Sequence, residues 1–227
     1  MTKTSKEPDD RWYDDACGAA HGLELLGERW ALLVVRELMF GPRRFGEVRS
    51  GLPGISANVL TQRLAGLEAA GVLTRRQLPS PANAQVYELT PWGYETEPIF
   101  QTLGRWAARS PQHDPSLPLS AASLLLSFGT MLDPGRASDR DATIDFRFAD
   151  QSFCARLREG RLSIVRAPLG DGDAIFVTDP RTLASVIYGG RPLADAEASG
   201  TLTVTGNRAS AKRFVTLFRL PPKAPGG

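Results

Sequence analysis

The sequence predicts an α+β chain built in two parts, a mostly helical first half and a second half of five strands with helices around them. Before residue 40, apolar residues recur at the spacing of amphipathic helices. From residue 143 to 165, apolar and polar residues alternate, as in half-buried strands. Three prolines within residues 110–120 predict an extended linker between the parts. The expected boundaries are a disordered arm at 1–13, a first domain at 14–110, a linker at 111–120, a second domain at 121–221 and a disordered tail at 222–227.

The composition is that of an ordinary globular protein, with 42% hydrophobic and 23% charged residues. No apolar run approaches the roughly 20 residues of a membrane span, and the polar, acidic N-terminus does not resemble a secretory signal. The two cysteines, Cys17 and Cys154, have no further Cys or His at metal-ligand spacing. We therefore expect a cytoplasmic protein that binds no metal, no cofactor and no membrane.

Three helices are predicted before residue 52. Apolar side chains at helical spacing predict the first at residues 16–26. Residues 30–40 are apolar on nearly every side, which predicts a central, buried helix that ends at Gly41-Pro42. A short third helix is expected at residues 45–51.

Residues 53–71 predict a tight turn and a further helix with two contrasting faces. Pro53 and Gly54 form the turn, and Ser56 is a good N-cap for the helix that follows. Leucines at positions i, i+4 and i+7 predict the buried face: Leu60, Leu64 and Leu67. The opposite face carries side chains able to read base edges in the major groove of DNA: Asn58, Thr61 and Gln62.

An arginine-rich hairpin is predicted next, with strands at residues 72–76 and 85–89. Thr90-Pro91 opens another helix, which Pro98 is expected to kink or restart. A polar helix face alone is more often a solvated surface than a DNA-reading one. The order helix, turn, helix and basic hairpin is the layout of a winged helix, and it favours binding of double-stranded DNA.

Positive charge is concentrated around this motif, although the net charge of the chain is only +2. Residues 29–76 contain eight arginines and three glutamates, and local charge is what matters for contact with phosphate. Because Arg75 and Arg76 are neighbours on a strand, at most one of them is expected to face DNA. The candidate phosphate contacts are Arg43, Arg44, Ser56, Arg63, Arg75 and Arg76.

The run of residues 17–76, followed by VYELTPWG at 86–93, resembles the HxlR-type winged-helix transcriptional regulators. The resemblance covers roughly residues 14–109 and implies a homodimer that binds an operator of approximate two-fold symmetry. The matching pieces are Cys17, Gly27 through Trp30, Arg36-Glu37-Leu38, Gly41-Pro42 with Phe45, Leu52 through Ser56, Leu60, Arg63-Leu64, Leu67, Gly71, Tyr87, Leu89-Thr90 and Gly93.

The same resemblance assigns roles to the two ends of the first half. Some members of the family use an N-terminal cysteine as a redox or electrophile sensor, and Cys17 matches that position. A helix start favours its thiolate, whereas Asp14 and Asp15 disfavour it, and a small buried residue is the alternative. The terminal helices form the dimer contact in the family, with packing inside the subunit as the alternative for these side chains: Trp12, Tyr13, Ile99, Phe100, Leu103 and Trp106.

The second half is predicted to contain a helix at residues 121–132 and strands near residues 144–148, 153–157, 162–165, 174–178 and 201–205. Asp179-Pro180 and Asn207 open two more helices. This order resembles the SCP2-like sterol-carrier fold over residues 120–220, which implies a five-stranded sheet and a cavity for a lipid-like ligand. The candidate lining, whose alternative is simple core packing, is Leu124, Leu125, Phe128, Phe146, Phe153, Ile187, Phe214 and Phe218.

No grouping of Ser, His and Asp predicts catalysis, so we do not expect an enzyme. The leading hypothesis is a homodimeric, DNA-binding transcriptional regulator that recognises a pseudo-palindromic operator. Its second half would either bind and sense an apolar, lipid-like small molecule or support assembly. One alternative is a lipid- or sterol-carrier-like protein that uses the winged helix only for dimerisation. Another is a protein-interaction module with no DNA role.

Overall fold

The computed structural model describes residues 13–138 and 141–225. Trp12, which the resemblance places in the dimer contact, lies outside the described residues. The first half contains helices and one hairpin in the predicted order: α1 (Gly18–Leu26), α2 (Ala31–Leu38), α3 (Phe45–Ser50), α4 (Ala57–Ala69), β1 (Leu73–Gln77), β2 (Gln85–Leu89), α5 (Pro91–Tyr94) and α6 (Glu97–Ala107).

Local sequence signals explain where these elements begin. The Ser56 hydroxyl accepts the backbone N–H of Val59 at 3.3 Å and caps α4, as the sequence predicts. The Thr90 hydroxyl caps α5 in the same way. Pro98 lies in the first turn of α6, where proline is well tolerated, so it restarts a helix rather than kinking one.

The first hydrophobic core forms around α2, with α3, α4 and the hairpin packed against it. Most of α2 is buried, which confirms the predicted central helix. The three leucines predicted for the inner face of α4 are buried as well. Because these leucines anchor one side of α4 to the core, its polar side is held toward solvent.

The second half contains the predicted five-stranded sheet, in the order β5-β4-β3-β6-β7. Strands β3 and β6 run parallel, and the other neighbouring strands are antiparallel. No described helix is both long and apolar enough to cross a membrane. The elements are α7 (Ala121–Met131), α8 (Pro134–Ala137), β3 (Ala142–Phe148), β4 (Gln151–Arg158), β5 (Arg161–Arg166), β6 (Ala174–Thr178), α9 (Pro180–Ile187), α10 (Leu193–Ala198), β7 (Leu202–Gly206) and α11 (Arg208–Phe214).

Two features of the second half differ from the sequence prediction. Its pattern does not predict α8 or α10, which are only 4 and 6 residues long and carry too few apolar positions to show a helical period. The last helix ends at Phe214, before the apolar run is complete. After the helix, Phe218 pairs with Leu132 in an isolated bridge next to α7.

The expected lipid cavity is not open in this structure, because its eight candidate side chains fill the second core. The rings of Phe128 and Phe218 stack with centroids 4.6 Å apart, and Phe214 packs edge-on against both. All eight are buried in this core, where they pack against one another and against neighbouring apolar side chains. The prediction is therefore corrected to the packing alternative for seven of them, whereas Leu125 also borders a cavity elsewhere.

A buried polar cluster joins the two halves. The Glu37 side chain is 1% exposed and that of Arg43 is 6% exposed, and their charged groups lie 3.9 Å apart. The Ser120 hydroxyl, which caps α7, donates to Glu37 Oε1 at 2.7 Å. Arg43 Nη1 donates to Gln151 Oε1 on β4 at 3.2 Å. The pair thus connects the winged helix with the first helix and the sheet of the second half.

Neighbouring arginines provide a test of this cluster. We expect Arg43→Ala to lower the free energy of unfolding by about 2 kcal/mol, because it removes buried hydrogen bonds and leaves Glu37 with one buried cation fewer. Arg44→Ala is the matched control: its side chain is exposed, so unfolding should change by less than about 0.5 kcal/mol. Urea denaturation of the full chain measures both. Equal stabilities would show that the Arg43 guanidinium is not held inside.

Candidate nucleic-acid interface

The outer face of α4 presents three polar side chains together. Asn58, Thr61 and Gln62 are all exposed, and their spacing places them within one side of the helix. The Thr61 hydroxyl donates to the Ala57 carbonyl at 3.0 Å, which leaves its oxygen lone pairs and methyl group for other contacts. Amide, hydroxyl and methyl groups on an exposed helix are the set that reads base edges in a major groove.

The turn before α4 depends on glycine. Gly54 has a φ of 90°, a conformation that residues with a Cβ rarely adopt. The indole of Trp30 lies next to this turn, 4.0 Å from where a Cβ on Gly54 would be. Ile55 is buried directly after the turn and anchors the start of the helix. A glycine at this turn and a buried residue directly after it therefore fix where α4 begins.

Arg63 is held by the protein rather than left free for a phosphate. Its Nη2 lies 2.6 Å from a carboxylate oxygen of Glu28, and its Nε donates to the Arg29 carbonyl at 2.8 Å. These contacts tie the middle of α4 to the segment between α1 and α2. No pattern in the sequence points to Glu28 as the partner of Arg63, because the two residues are 35 positions apart in the chain.

The two wing arginines are exposed, and each has an acidic neighbour. Arg75 lies 3.4 Å from Glu68 on α4, and Arg76 pairs with Glu88 on the opposite strand. Opposite Arg75 on β2 is Tyr87, which also pairs with Arg43 and so ties the hairpin to the start of α3. The side chains of successive strand residues point to opposite faces, so the expectation that at most one of the two arginines faces DNA stays a prediction.

Arg43 and Arg44 have different environments although they are adjacent. Arg43 points inward to the polar cluster, so in this structure it is not placed to clamp a phosphate as expected. Arg44 is exposed, as is Arg49 at the end of α3, a position the sequence prediction did not include. Within the described residues, neither Arg44 nor Arg49 forms an ion pair within 4.0 Å. These two guanidinium groups are therefore available to phosphate.

One face of α6 is apolar and uncovered in the single chain. Ile99, Leu103 and Trp106 are 55%, 45% and 71% exposed, and none of the residues of α6 is fully buried. Tyr13 is also exposed, whereas Phe100 turns toward the first core and packs against it. Phe100 is half-buried and packs in part inside its own subunit, and its place in a dimer contact stays a prediction. Contiguous exposed apolar surface of this kind marks an interaction site.

The two cysteines have opposite environments. Cys17 is exposed at the start of α1, where the backbone N–H groups of Ala20 and Ala19 lower the pKa of its thiol. Cys154 is buried on β4, and burial together with the neighbouring Asp145 raises the pKa of its thiol. The alternative that Cys17 is a small buried residue is therefore wrong.

These environments predict selective alkylation. Because the thiolate is the nucleophile, the lowered pKa of Cys17 gives it a larger reactive fraction at neutral pH, and its rate should level off at a lower pH than that of an ordinary thiol. Iodoacetamide at pH 7 should modify Cys17 and leave Cys154 unmodified until the chain unfolds, as read by peptide mass spectrometry. Cys17→Ser is the control and should not be labelled when folded. Rapid labelling of Cys154 in the folded chain would contradict the assignment.

The profile of the HxlR-like helix-turn-helix family matches residues 25–114. The HTH-type transcriptional regulator YvaP of Bacillus subtilis is 36% identical over 85 residues, which are 37% of this chain and 79% of YvaP. The chain belongs to the HxlR-like helix-turn-helix family. YodB, another HTH-type transcriptional regulator of Bacillus subtilis, is 39% identical over 83 residues, or 37% of this chain and 74% of YodB.

Solved structures of regulators match a similar share of this chain. Reduced YodB from Bacillus subtilis matches with a TM-score of 0.40 at 33% identity, over 44% of this chain and 100% of YodB. The redox regulator HypR in its oxidized form matches with a TM-score of 0.38 at 28% identity, over 43% of this chain and 100% of HypR.

A different family profile covers the second half of this HxlR-like chain. The alkyl sulfatase C-terminal profile matches residues 113–224. The regulators named above cover less than half of this chain, and the HxlR-like profile ends at residue 114, so the family assignment concerns the winged helix. The expected SCP2-like identity of the second half stays a prediction.

Proposed function

We propose that the chain is a cytoplasmic, homodimeric transcriptional regulator that binds a pseudo-palindromic operator in double-stranded DNA. The observation that carries this proposal is the joint exposure of Asn58, Thr61 and Gln62 on a helix anchored by three buried leucines. We assign base contacts to these three side chains. Phosphate contacts are assigned to Arg44, to the N-terminus of α4 at Ser56 and to one of the wing arginines, Arg75 or Arg76.

The apolar face of α6 supports the homodimer. Two copies packed through Ile99, Leu103 and Trp106 around a two-fold axis would cover side chains that a single chain leaves in water. A two-fold dimer presents two copies of α4, which suits half-sites about one helical turn, roughly 34 Å, apart. We assign Tyr13 to the same interface because it too is an exposed aromatic residue from the family's terminal segments.

Selection from random DNA tests the proposal directly. The full chain should enrich inverted half-sites, and its affinity for the enriched duplex should fall linearly with the logarithm of salt concentration. The control is a duplex of the same composition with the half-sites scrambled. A bound pool indistinguishable from the starting pool would overturn the DNA-binding role, and the rival carrier protein with a purely dimerising winged helix would then be favoured.

For the second half we propose a non-catalytic role on an SCP2-like fold. The five-stranded sheet with α7 and α11 packed on it supports this fold. Because the matching profile bears the name of an alkyl sulfatase terminus, the test is incubation with an alkyl sulfate, measuring released sulfate. We expect no release above that of the heat-denatured chain, and sustained turnover would contradict the proposal.

We further propose that oxidation of Cys17 weakens operator binding. Its exposure and the lowered pKa of its thiol support this role, because redox-sensing cysteines combine both properties. Mild oxidation should lower the affinity of the wild-type chain for the selected operator and leave Cys17→Ser unaffected. An equal loss in both proteins would show that Cys17 is not the sensor.

A further inference from the structure

A cavity of about 270 Å³ opens at the junction of the two halves. The first half contributes Met39 and Phe40, just after α2, and Glu97, at the start of α6. The second half contributes α7, including Leu125 and Gly129, and the edge strand β5. Its size is just below the roughly 300–1,000 Å³ of ordinary ligand pockets, and it equals the liquid volume of about nine water molecules.

Six of the nine residues that line this cavity are apolar, but slightly more than half of its exposed surface is polar. Met39 and Leu125 are buried hydrophobic residues, and β5 adds the half-buried side chain of Ile164. Ser163 provides a hydroxyl group. A mixed surface of this kind suits a molecule that has both a compact hydrocarbon part and a polar or charged group.

Glu97 gives the cavity its charge. It is the one ionisable residue among those that line it, and it is exposed at the mouth. Its Oε1 accepts a hydrogen bond from Gln101 Nε2 at 2.8 Å, which orients the carboxylate and leaves Oε2 for another donor. A cationic group meets a complementary charge at this position, whereas an anionic group meets a like one.

We propose that this junction cavity is an effector site for a small molecule that joins a compact hydrocarbon part to a protonated amine. The hydrocarbon part occupies the space between α2, α7 and β5, and the amine binds Glu97. The binding site stands on the geometry of the cavity alone. The effector role rests on the proposed DNA-binding function.

The position of the cavity explains how occupancy reaches the DNA-binding surface. Met39 and Phe40 are followed within three residues by Arg43, which donates to Gln151 of the second half and to the Glu47 carbonyl of α3. Glu97 begins α6, whose outer face is the proposed dimer contact. An occupant therefore contacts both the segment that leads to Arg43 and the start of α6. It shifts DNA affinity if it binds the DNA-competent and DNA-incompetent conformations with different affinities.

Three probes of matched shape test the binding site in the full chain: cyclohexylmethylamine, cyclohexylmethanol and cyclohexanecarboxylate. Binding is read as the rise in melting temperature with probe concentration. We expect the amine to bind about threefold more tightly than the alcohol, since an exposed ion pair contributes about 0–1 kcal/mol, and the carboxylate to bind most weakly. Equal shifts for all three probes would overturn the role of Glu97.

Two variants, each with a matched control, locate the site. Glu97→Gln should reduce amine binding to the level of the alcohol, and Glu95→Gln, an exposed glutamate outside the cavity, should behave as the wild type. Gly129→Leu should fill the cavity and remove all binding, since a Cβ there meets only the flexible Gln101 amide, at 3.1 Å. Gly22→Leu, at a helical glycine with open space around it, is its control. Unchanged binding in both Glu97→Gln and Gly129→Leu would place the probes elsewhere and overturn the proposal.

The effector role has a separate readout. Saturating amine should change the affinity of the wild-type chain for its selected operator at least threefold and leave that of Gly129→Leu unchanged. If the amine binds the cavity and the affinity does not change, the effector role is wrong. If the wild-type chain selects no operator although the amine binds, the DNA-binding proposal fails while the binding site stands.

Discussion

Replacing Asn58, Thr61 and Gln62 together by alanine is expected to abolish operator preference while the chain stays folded and dimeric. The three side chains are exposed and stabilise no core, so their loss should change unfolding by little. A good bidentate amide–base contact contributes about 1–3 kcal/mol of discrimination, so losing Asn58 and Gln62 from both subunits should cost at least about a hundredfold in affinity for the operator. Competition binding against the scrambled duplex measures the preference.

Binding that depends only on phosphate should survive in this variant, because Arg44 and the wing arginines are untouched. Its affinity for the operator should fall to that for scrambled DNA, with the same salt dependence. The double change Thr203→Ala, Thr205→Ala, at exposed residues of β7, is the control and should bind as the wild type. A triple variant that still selects the operator would show that α4 is not the reading helix.

Charging the apolar face of α6 is expected to give a monomer. In the double variant Ile99→Glu, Leu103→Glu, two carboxylates would have to be buried in the dimer contact, which is unfavourable without partners. A monomer binds one half-site at a time, so affinity for the full operator should fall about 10²–10⁴-fold with the loss of bivalent binding. Sedimentation velocity gives the assembly state, and DNA titration gives the affinity.

A matched control exists for this change. Leu117, in the segment between the halves, is similarly exposed, and Leu117→Glu should leave both assembly and affinity unchanged. Because Ile99 and Leu103 contribute little to either core, the variant should remain folded, which circular dichroism checks. A double variant that sediments as a dimer would show that the interface lies on another face.

Much of the secondary structure follows from short-range signals. Ser56 caps α4 and Asp179 caps α9 because a side-chain oxygen next to a helix start satisfies backbone N–H groups within the next three residues. The leucines of α4 predict its inner face, since helical periodicity and burial are linked through local geometry. In β3 and β4 the alternating apolar residues are buried as well, but Asp145 and Cys154 on the other face of the sheet are also buried, which the alternation alone does not predict.

The burial and the partners of individual polar side chains could not be predicted from such short-range signals. Arg43 and Arg44 are adjacent and chemically identical, yet one is buried against Gln151, 108 positions later, and the other faces solvent. Arg63 likewise forms an ion pair with Glu28, a residue far away in the chain. The eight apolar residues predicted to line a cavity pack in the second core instead. A sequence does not distinguish the two cases, because inward-facing apolar residues have the same pattern whether they fill a core or surround a cavity.

What can be derived from the chain alone is therefore the order of its elements, the inward face of each helix and the polar face of α4, since each depends on neighbours within about one or two helical turns. What required the folded molecule is the choice between adjacent arginines, the packing of the phenylalanine core and the cavity at the junction. Those depend on contacts between residues far apart in the chain, such as Phe40 with Phe153, whose meeting is decided only when both halves pack together.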